Sequence, residues 1–98
     1  MLDQAAPSID TRFAGDDAMR TEMHSLIGTM YNLTNAYGNA KRHYDIAIGL
    51  IEDGVEIDEQ EAIDAYLGRT AARSTMGEHA AAESDVREAI RRIEAMHA

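Results

Sequence analysis

The feature that most constrains the fold of this chain is an internal repeat. When the sequence is shifted by 42 positions against itself, small and apolar residues coincide: Ala40 with Ala82, Ala47 with Ala89, Ile48 with Ile90, and Ile51 with Ile93. The same shift places Leu2, Ala5, Ala6 and Ile9 on Tyr44, Ala47, Ile48 and Ile51. Three copies of one helix at a single period predict a stack of similar helical units.

Composition favours helices within one domain, residues 1–98. A chain of 98 residues buries only a modest core, and with one Phe and no Trp that core depends on Ala, Ile, Leu, Met and four Tyr. Such residues suit closely packed helices better than a β-sandwich. A single Pro and seven Gly fit long helices joined by short turns. The predicted fold class is therefore all-α, with about five helices.

Cap and turn residues predict where the helices lie. After a first helix over residues 2–14, which starts or kinks at Pro7, Asp16 or Asp17 caps a helix to about Ala36. Turns follow at 37–39, at Asp53-Gly54 and at Gly77. The remaining predicted helices cover residues 39 or 40 to 52, then 58 to 75 or 76, starting at the Asp58/Glu61 capping pair, and finally 78 to 96. Their predicted inner faces are Ala40, Tyr44, Ala47, Ile48 and Ile51; Ile63, Tyr66, Leu67, Thr70 and Ala71; and Ala82, Val86, Ala89, Ile90 and Ile93.

One stretch carries a family resemblance. The spacing His24-x2-Ile27-Gly28-x2-Tyr31, followed by Ala40-x3-Tyr44, resembles a tetratricopeptide repeat, and the period of 42 resembles the long, kinesin-light-chain-like variety. The resemblance implies antiparallel helical hairpins stacked as a right-handed superhelix. Residues 2–14 would be the second helix of a truncated repeat, 17–53 the first full repeat and 58–97 the second. The alternative is an ordinary four- or five-helix bundle.

The second repeat departs from the family pattern at three positions. Arg69, Thr70 and Arg73 stand where the pattern has Leu, a small Gly and Tyr. Arg73 is expected to weaken packing unless its guanidinium reaches a carboxylate or its stem alone is buried. In the first repeat, His24 takes the place of Trp, and we interpret it as a half-buried packing residue.

The resemblance also implies a concave groove lined by the first helix of each repeat. The residues expected to contact a partner there are Ser25, Thr29, Asn32 and Leu33 in the first repeat and Asp64, Leu67, Ala71 and Ser74 in the second; Glu22, Leu26 and Gly68 share their faces. Because these side chains are mainly small, apolar or acidic, an acidic peptide end is a poor ligand. We expect an extended segment or an amphipathic helix, unless the face only packs on neighbouring repeats.

Charge and missing motifs exclude several function classes. The net charge of −9 disfavours nucleic acid and anionic membranes. No apolar run is long enough to span a bilayer, and the start of the chain does not resemble a signal peptide, so the expected location is the cytoplasm, or the periplasm if the full-length protein is anchored there. Without Cys or a catalytic motif, we expect no enzyme, no cofactor and no metal. His79 and Glu83, four residues apart, offer too few ligands.

These observations predict a non-catalytic protein-protein interaction module, a fragment of a larger bacterial regulatory or signalling protein. The alternative is a ligand-sensing domain that binds a peptide or small molecule and controls an attached effector such as a kinase or transcription factor. Since the first helix lacks the companion that a complete repeat would give it, self-association into a homo-oligomer is also expected.

Overall fold

The computed structural model of the chain describes residues 8–98, and these fold as helices in contact with one another, without strands. The first described helix, α1, covers residues 8–12. Four longer helices follow: α2 (Asp17–Leu33), α3 (Tyr37–Glu52), α4 (Glu59–Thr75) and α5 (His79–Met96). The predicted all-α class is confirmed. The predicted start or kink at Pro7 lies outside the described residues.

The helix boundaries follow local chemistry, and one predicted turn was misplaced. Asp16 caps α2 by accepting a hydrogen bond from the Met19 amide at 3.0 Å, and Asp58 caps α4 through the Gln60 amide at 2.8 Å. α2 ends at Leu33 rather than Ala36, because Asn35 adopts a left-handed φ of 63°. The turn predicted at 37–39 is therefore wrong, and Tyr37 opens α3.

Each helix contacts its neighbour in the chain, and α2 also contacts α4. Contacts between α4 and α5 run antiparallel: Arg92 near the end of α5 reaches Glu59 at the start of α4, whereas Arg73 near the end of α4 reaches Ala81. By contrast, α2 and α4 run side by side in the same direction, with Glu22 near Glu61 and Asn32 bonded to Gly68.

The core lies where three helices meet, along α3. Because α3 packs against both α2 and α4, it buries a wide face that contains every residue predicted for it: Ala40, Tyr44, Ala47, Ile48 and Ile51. Among the described helices α5 contacts only α4, so it buries a narrow stripe of Ala82, Asp85 and Ala89.

Several residues predicted to lie in the core are exposed. Ile90 and Ile93 on α5 are 48% and 39% exposed, because no described helix covers that side of α5. On α4, Leu67 is 43% exposed and Ala71 is exposed, whereas Ile63 and Tyr66 are buried as predicted. The narrowest buried face is that of α5, which contacts a single described helix.

Candidate functional site

An open groove runs between the parallel helices α2 and α4 and encloses about 350 Å³. One wall comes from α2 and the other from α4, while the floor is the ring of Tyr44, reaching up from α3. The lining residues are Thr21, Glu22, Ser25, Leu26, Thr29, Tyr44, Glu61, Asp64 and Ala65. This is the candidate partner-binding site, and we call it the α2/α4 groove.

The floor of the α2/α4 groove exists because two glycines make room for a tyrosine. A Cβ built on Gly28 would lie 2.9 Å from the Tyr44 ring, and one built on Gly68 would lie 2.3 Å from its Cζ. The ring is 2% exposed, and its hydroxyl lies 2.8 Å from Thr29 Oγ1. Burial raises the pKa of Tyr44, so the phenol is neutral at pH 7. One buried side chain thus joins three helices.

The walls of the groove carry carboxyl groups that face each other. Glu22 lies on α2 and Glu61 on α4, and their carboxyl groups are adjacent across the groove. Burial raises the pKa of Glu61, and the adjacent carboxyl of Glu22 raises it further. Asp64, one turn along α4, accepts a hydrogen bond from Gln60 at 3.0 Å. The groove therefore has acidic residues on both walls.

The structure brings some of the eight predicted groove residues together and separates others. Ser25, Thr29 and Asp64 line the groove. Asn32 instead donates from Nδ2 to the Gly68 carbonyl at 3.0 Å, which links α2 to α4 one turn beyond the groove. Leu33 and Leu67, adjacent in sequence to this link, are 79% and 43% exposed. Ala71 and Ser74 lie further along α4 and are exposed. Whether these side chains contact a partner stays a prediction.

Sequence reasoning missed Tyr44 and Glu61 as groove residues. Tyr44 was assigned to packing alone, and Glu61 to the helix cap. A signal was present for Glu61, because it precedes Asp64 by three residues and Gly68 by seven, which places all three on one face of α4. The sequence held no such signal for Tyr44, since its place at the groove floor depends on α3 lying beneath both α2 and α4.

A buried histidine pair lies on the opposite side of α2. His24 is completely buried, rather than half-buried as predicted, and its Nδ1 lies 3.1 Å from Nδ1 of His43, which is 2% exposed. On its other edge, His24 Nε2 lies 2.9 Å from the Asp10 carboxylate of α1. The hydrogen bond from His24 lowers the pKa of Asp10, and Arg20, 3.2 Å away, lowers it further.

The hydrogen bonds assign the tautomers of this pair. An ionised Asp10 only accepts, so His24 Nε2 carries the proton between them. In a neutral His24 the other nitrogen, Nδ1, is then an acceptor, and His43 Nδ1 must donate to it. With His24 neutral, the chain of bonds points from α3 through α2 to α1. It links three helices.

A second cleft of about 620 Å³ lies over α4 and α5 and is lined by five arginines: Arg69, Arg73, Arg87, Arg91 and Arg92. Four of the five pair with carboxylates that also line the cleft, whereas Arg87 pairs with Glu83. Asp85 binds Arg69 at 2.8 and 2.9 Å and Arg73 at 2.9 Å, while Glu88 binds Arg91 and Arg92. Arg73 thus reaches a carboxylate, the condition set for tolerating it. The pairs of Asp85 join α5 to α4.

Comparisons of the chain with protein-family models, curated proteins and solved structures find no match. Within residues 8–98, no helix is long and apolar enough to cross a membrane. In the same part of the chain, no three His, Asp or Glu side chains are grouped to hold a metal ion. The function therefore has to be argued from the α2/α4 groove.

Proposed function

We propose that this chain is a protein-interaction module of the tetratricopeptide-repeat type, which binds an extended or helical segment of a partner protein in the α2/α4 groove. The observation that carries the proposal is the groove itself, open to solvent along its length and floored by an aromatic ring. Leu26 at its edge is 53% exposed. Exposed apolar residues beside a concave surface are typical of binding sites.

The helix arrangement supports this proposal. In the family it resembles, the first helices of successive repeats line the binding face. Here α2 and α4 hold those positions, run in the same direction and contact each other directly. Leu33 and Leu67 extend the apolar surface past the groove. A module of this kind fits a larger regulatory or signalling protein.

A second candidate is a sensor domain that binds a small molecule in the same groove and controls an attached effector. Its volume of about 350 Å³ supports this reading, because small-molecule sites start near ~300 Å³. However, such sites bury most of the ligand surface, whereas this groove is open. The peptide function is therefore favoured.

The test is selection from a random-peptide display library against the whole chain, followed by fluorescence titration of the selected peptides. Leu26→Gln and Leu33→Gln should each weaken peptide binding, since they remove apolar contact at the groove and beside it. Ile90→Gln is the matched control, because Ile90 is 48% exposed on α5, away from the groove. Failure to select any peptide, or equal loss in all three variants, would refute the proposal.

A further inference from the structure

We propose that the segment bound in the α2/α4 groove is cationic, placing a Lys or Arg side chain against the carboxyl groups of Glu22, Glu61 and Asp64 and an apolar residue against Leu26. This inference rests on the proposed function and specifies the chemistry of the partner: a basic, amphipathic segment of a protein.

Charge complementarity selects this occupant. The charged side chains that line the groove are all acidic, and they come from both walls: Glu22 from α2, and Glu61 and Asp64 from α4. No Lys or Arg within residues 8–98 lines it. Basic residues are present in the chain but lie elsewhere, with five of the nine in the cleft over α4 and α5. A bound partner that carries positive charge therefore complements this groove.

Other carboxylates in tertiary contacts show how this chain neutralises such groups. Asp85 is held by two arginines, Glu59 by Arg92, and Asp10 by Arg20 and His24. In the α2/α4 groove a carboxyl group instead faces another carboxyl group, Glu22 against Glu61. Two adjacent carboxyls are costly when both are ionised. A cation between them removes that cost, so the free groove favours a positively charged ligand.

The edge of the groove fits a long basic side chain better than a bare metal ion. No three metal-binding side chains are grouped within residues 8–98, which argues against a metal. Leu26, 53% exposed at the groove edge, gives an apolar surface for the methylenes of a Lys or Arg, whose charged end then reaches the carboxyl groups.

The experiment uses the peptides selected from the random library. They should be enriched in Lys and Arg next to apolar residues, and their affinity should fall with added salt. The double variant Glu22→Gln/Glu61→Gln should bind them about tenfold more weakly. The same double variant should lose little affinity for peptides whose basic residue is replaced by Gln. The two protein forms and two peptide forms make a double-mutant cycle, which isolates the interaction between the carboxyl groups and the basic side chain.

A stability measurement separates this role from a structural one. In the free protein, Glu61→Gln should raise the melting temperature, because it removes the repulsion from Glu22, while it lowers peptide affinity. Glu94→Gln, an equal charge change at an exposed site on α5, is the control and should alter binding little.

The possible results distinguish this inference from the proposed function. Peptides that bind in the groove without basic residues, or that bind the double variant equally well, overturn the inference and leave the peptide function intact. If no peptide binds the groove, both fail. Sedimentation can also overturn the inference. If the chain forms a dimer that Leu26→Gln abolishes, the occupant of the groove is a second copy of this chain, which is acidic overall.

Discussion

The two helical hairpins, α2/α3 and α4/α5, bury a polar residue at the same position of the repeat but surround it with different chemistry. His43 and Asp85 are 42 residues apart, and each is 2% exposed. In the first hairpin His43 stacks on His24 and Tyr31, with ring centroids 5.3 and 5.6 Å apart. In the second, Asp85 is held by Arg69 and Arg73.

The substitutions between the hairpins are correlated. Arg69 and Arg73 occupy the positions of Ile27 and Tyr31 in the first hairpin. Two buried cations in place of two apolar groups require a carboxylate, and Asp85 supplies it. A buried ion cluster does not necessarily stabilise a fold more than apolar residues of similar size, but removing one partner is costly. The second hairpin should therefore be more sensitive to single substitutions than the first.

The largest expected effect is at Asp85. Asp85→Ala leaves Arg69 and Arg73, whose side chains are 12% and 17% exposed, without their shared carboxylate, and should lower the free energy of unfolding by about 3–5 kcal/mol. Urea denaturation followed by circular dichroism measures it. Asp45→Ala is the control, since Asp45 also pairs with Arg69 but is 44% exposed and should cost at most ~1 kcal/mol.

Replacing the whole cluster sharpens the comparison. The variant Arg69→Ile/Arg73→Tyr/Asp85→Leu gives the second hairpin two side chains of the first and an apolar centre. It should recover most of the stability lost in Asp85→Ala, because no buried charge remains unpaired. A triple variant no more stable than Asp85→Ala would mean that the ion cluster itself holds α4 on α5.

The next largest effect concerns the joint between the hairpins. Gly68→Ala places a methyl group against Tyr44 and should cost about 1–3 kcal/mol by overpacking. Gly49→Ala is the matched control in α3, where a new Cβ meets nothing within 4 Å, and it should stabilise by about 0.5–1 kcal/mol through helix propensity. If the two substitutions change the urea midpoint equally, the Tyr44 ring moves aside at no cost and the predicted overpacking is wrong.

These residues also show how far the sequence predicted the structure. Packing at Ala40, Tyr44 and Ala47 was predictable, because the repeat spacing depends only on positions within one hairpin. Gly68 was assigned to the groove face and its contact with Tyr44 was missed, because that contact arises only when α4 lies across α3. Contacts between hairpins depend on how helices are placed in space, which a spacing pattern does not encode. The His24–His43 contact lies within the first hairpin and was missed for another reason: the repeat pattern has Trp at the position of His24 and therefore indicates no polar partner for it.

A smaller effect concerns the link from the first hairpin to α1. The pKa of Asp10 is lowered in the folded state, mainly by the hydrogen bond from His24, so this contribution to stability is present above pH ~4 and is lost as pH falls through the folded pKa. Asp10→Asn should cost about 0.5–1 kcal/mol at pH 7, limited by the 41% exposure of the Asp10 side chain, and nothing at the acid end. Denaturation of both proteins across pH measures it; Glu56→Gln, exposed in the linker, is the control. A constant difference at every pH would contradict the assignment.

The last prediction needs no substitution and concerns the protonation of the two histidines in the first hairpin. If the polar centre of α2/α3 is a neutral relay, nitrogen-15 NMR of the imidazoles at neutral pH should show His24 protonated on Nε2 and His43 on Nδ1. The exposed His79 on α5 should show a mixture of tautomers and serves as the internal reference. His24 charged on both nitrogens would instead pair as a cation with Asp10 and require His43 Nδ1 to accept. Both hairpins would then bury an ion pair at their polar centre, and their difference would reduce to which residue carries the positive charge.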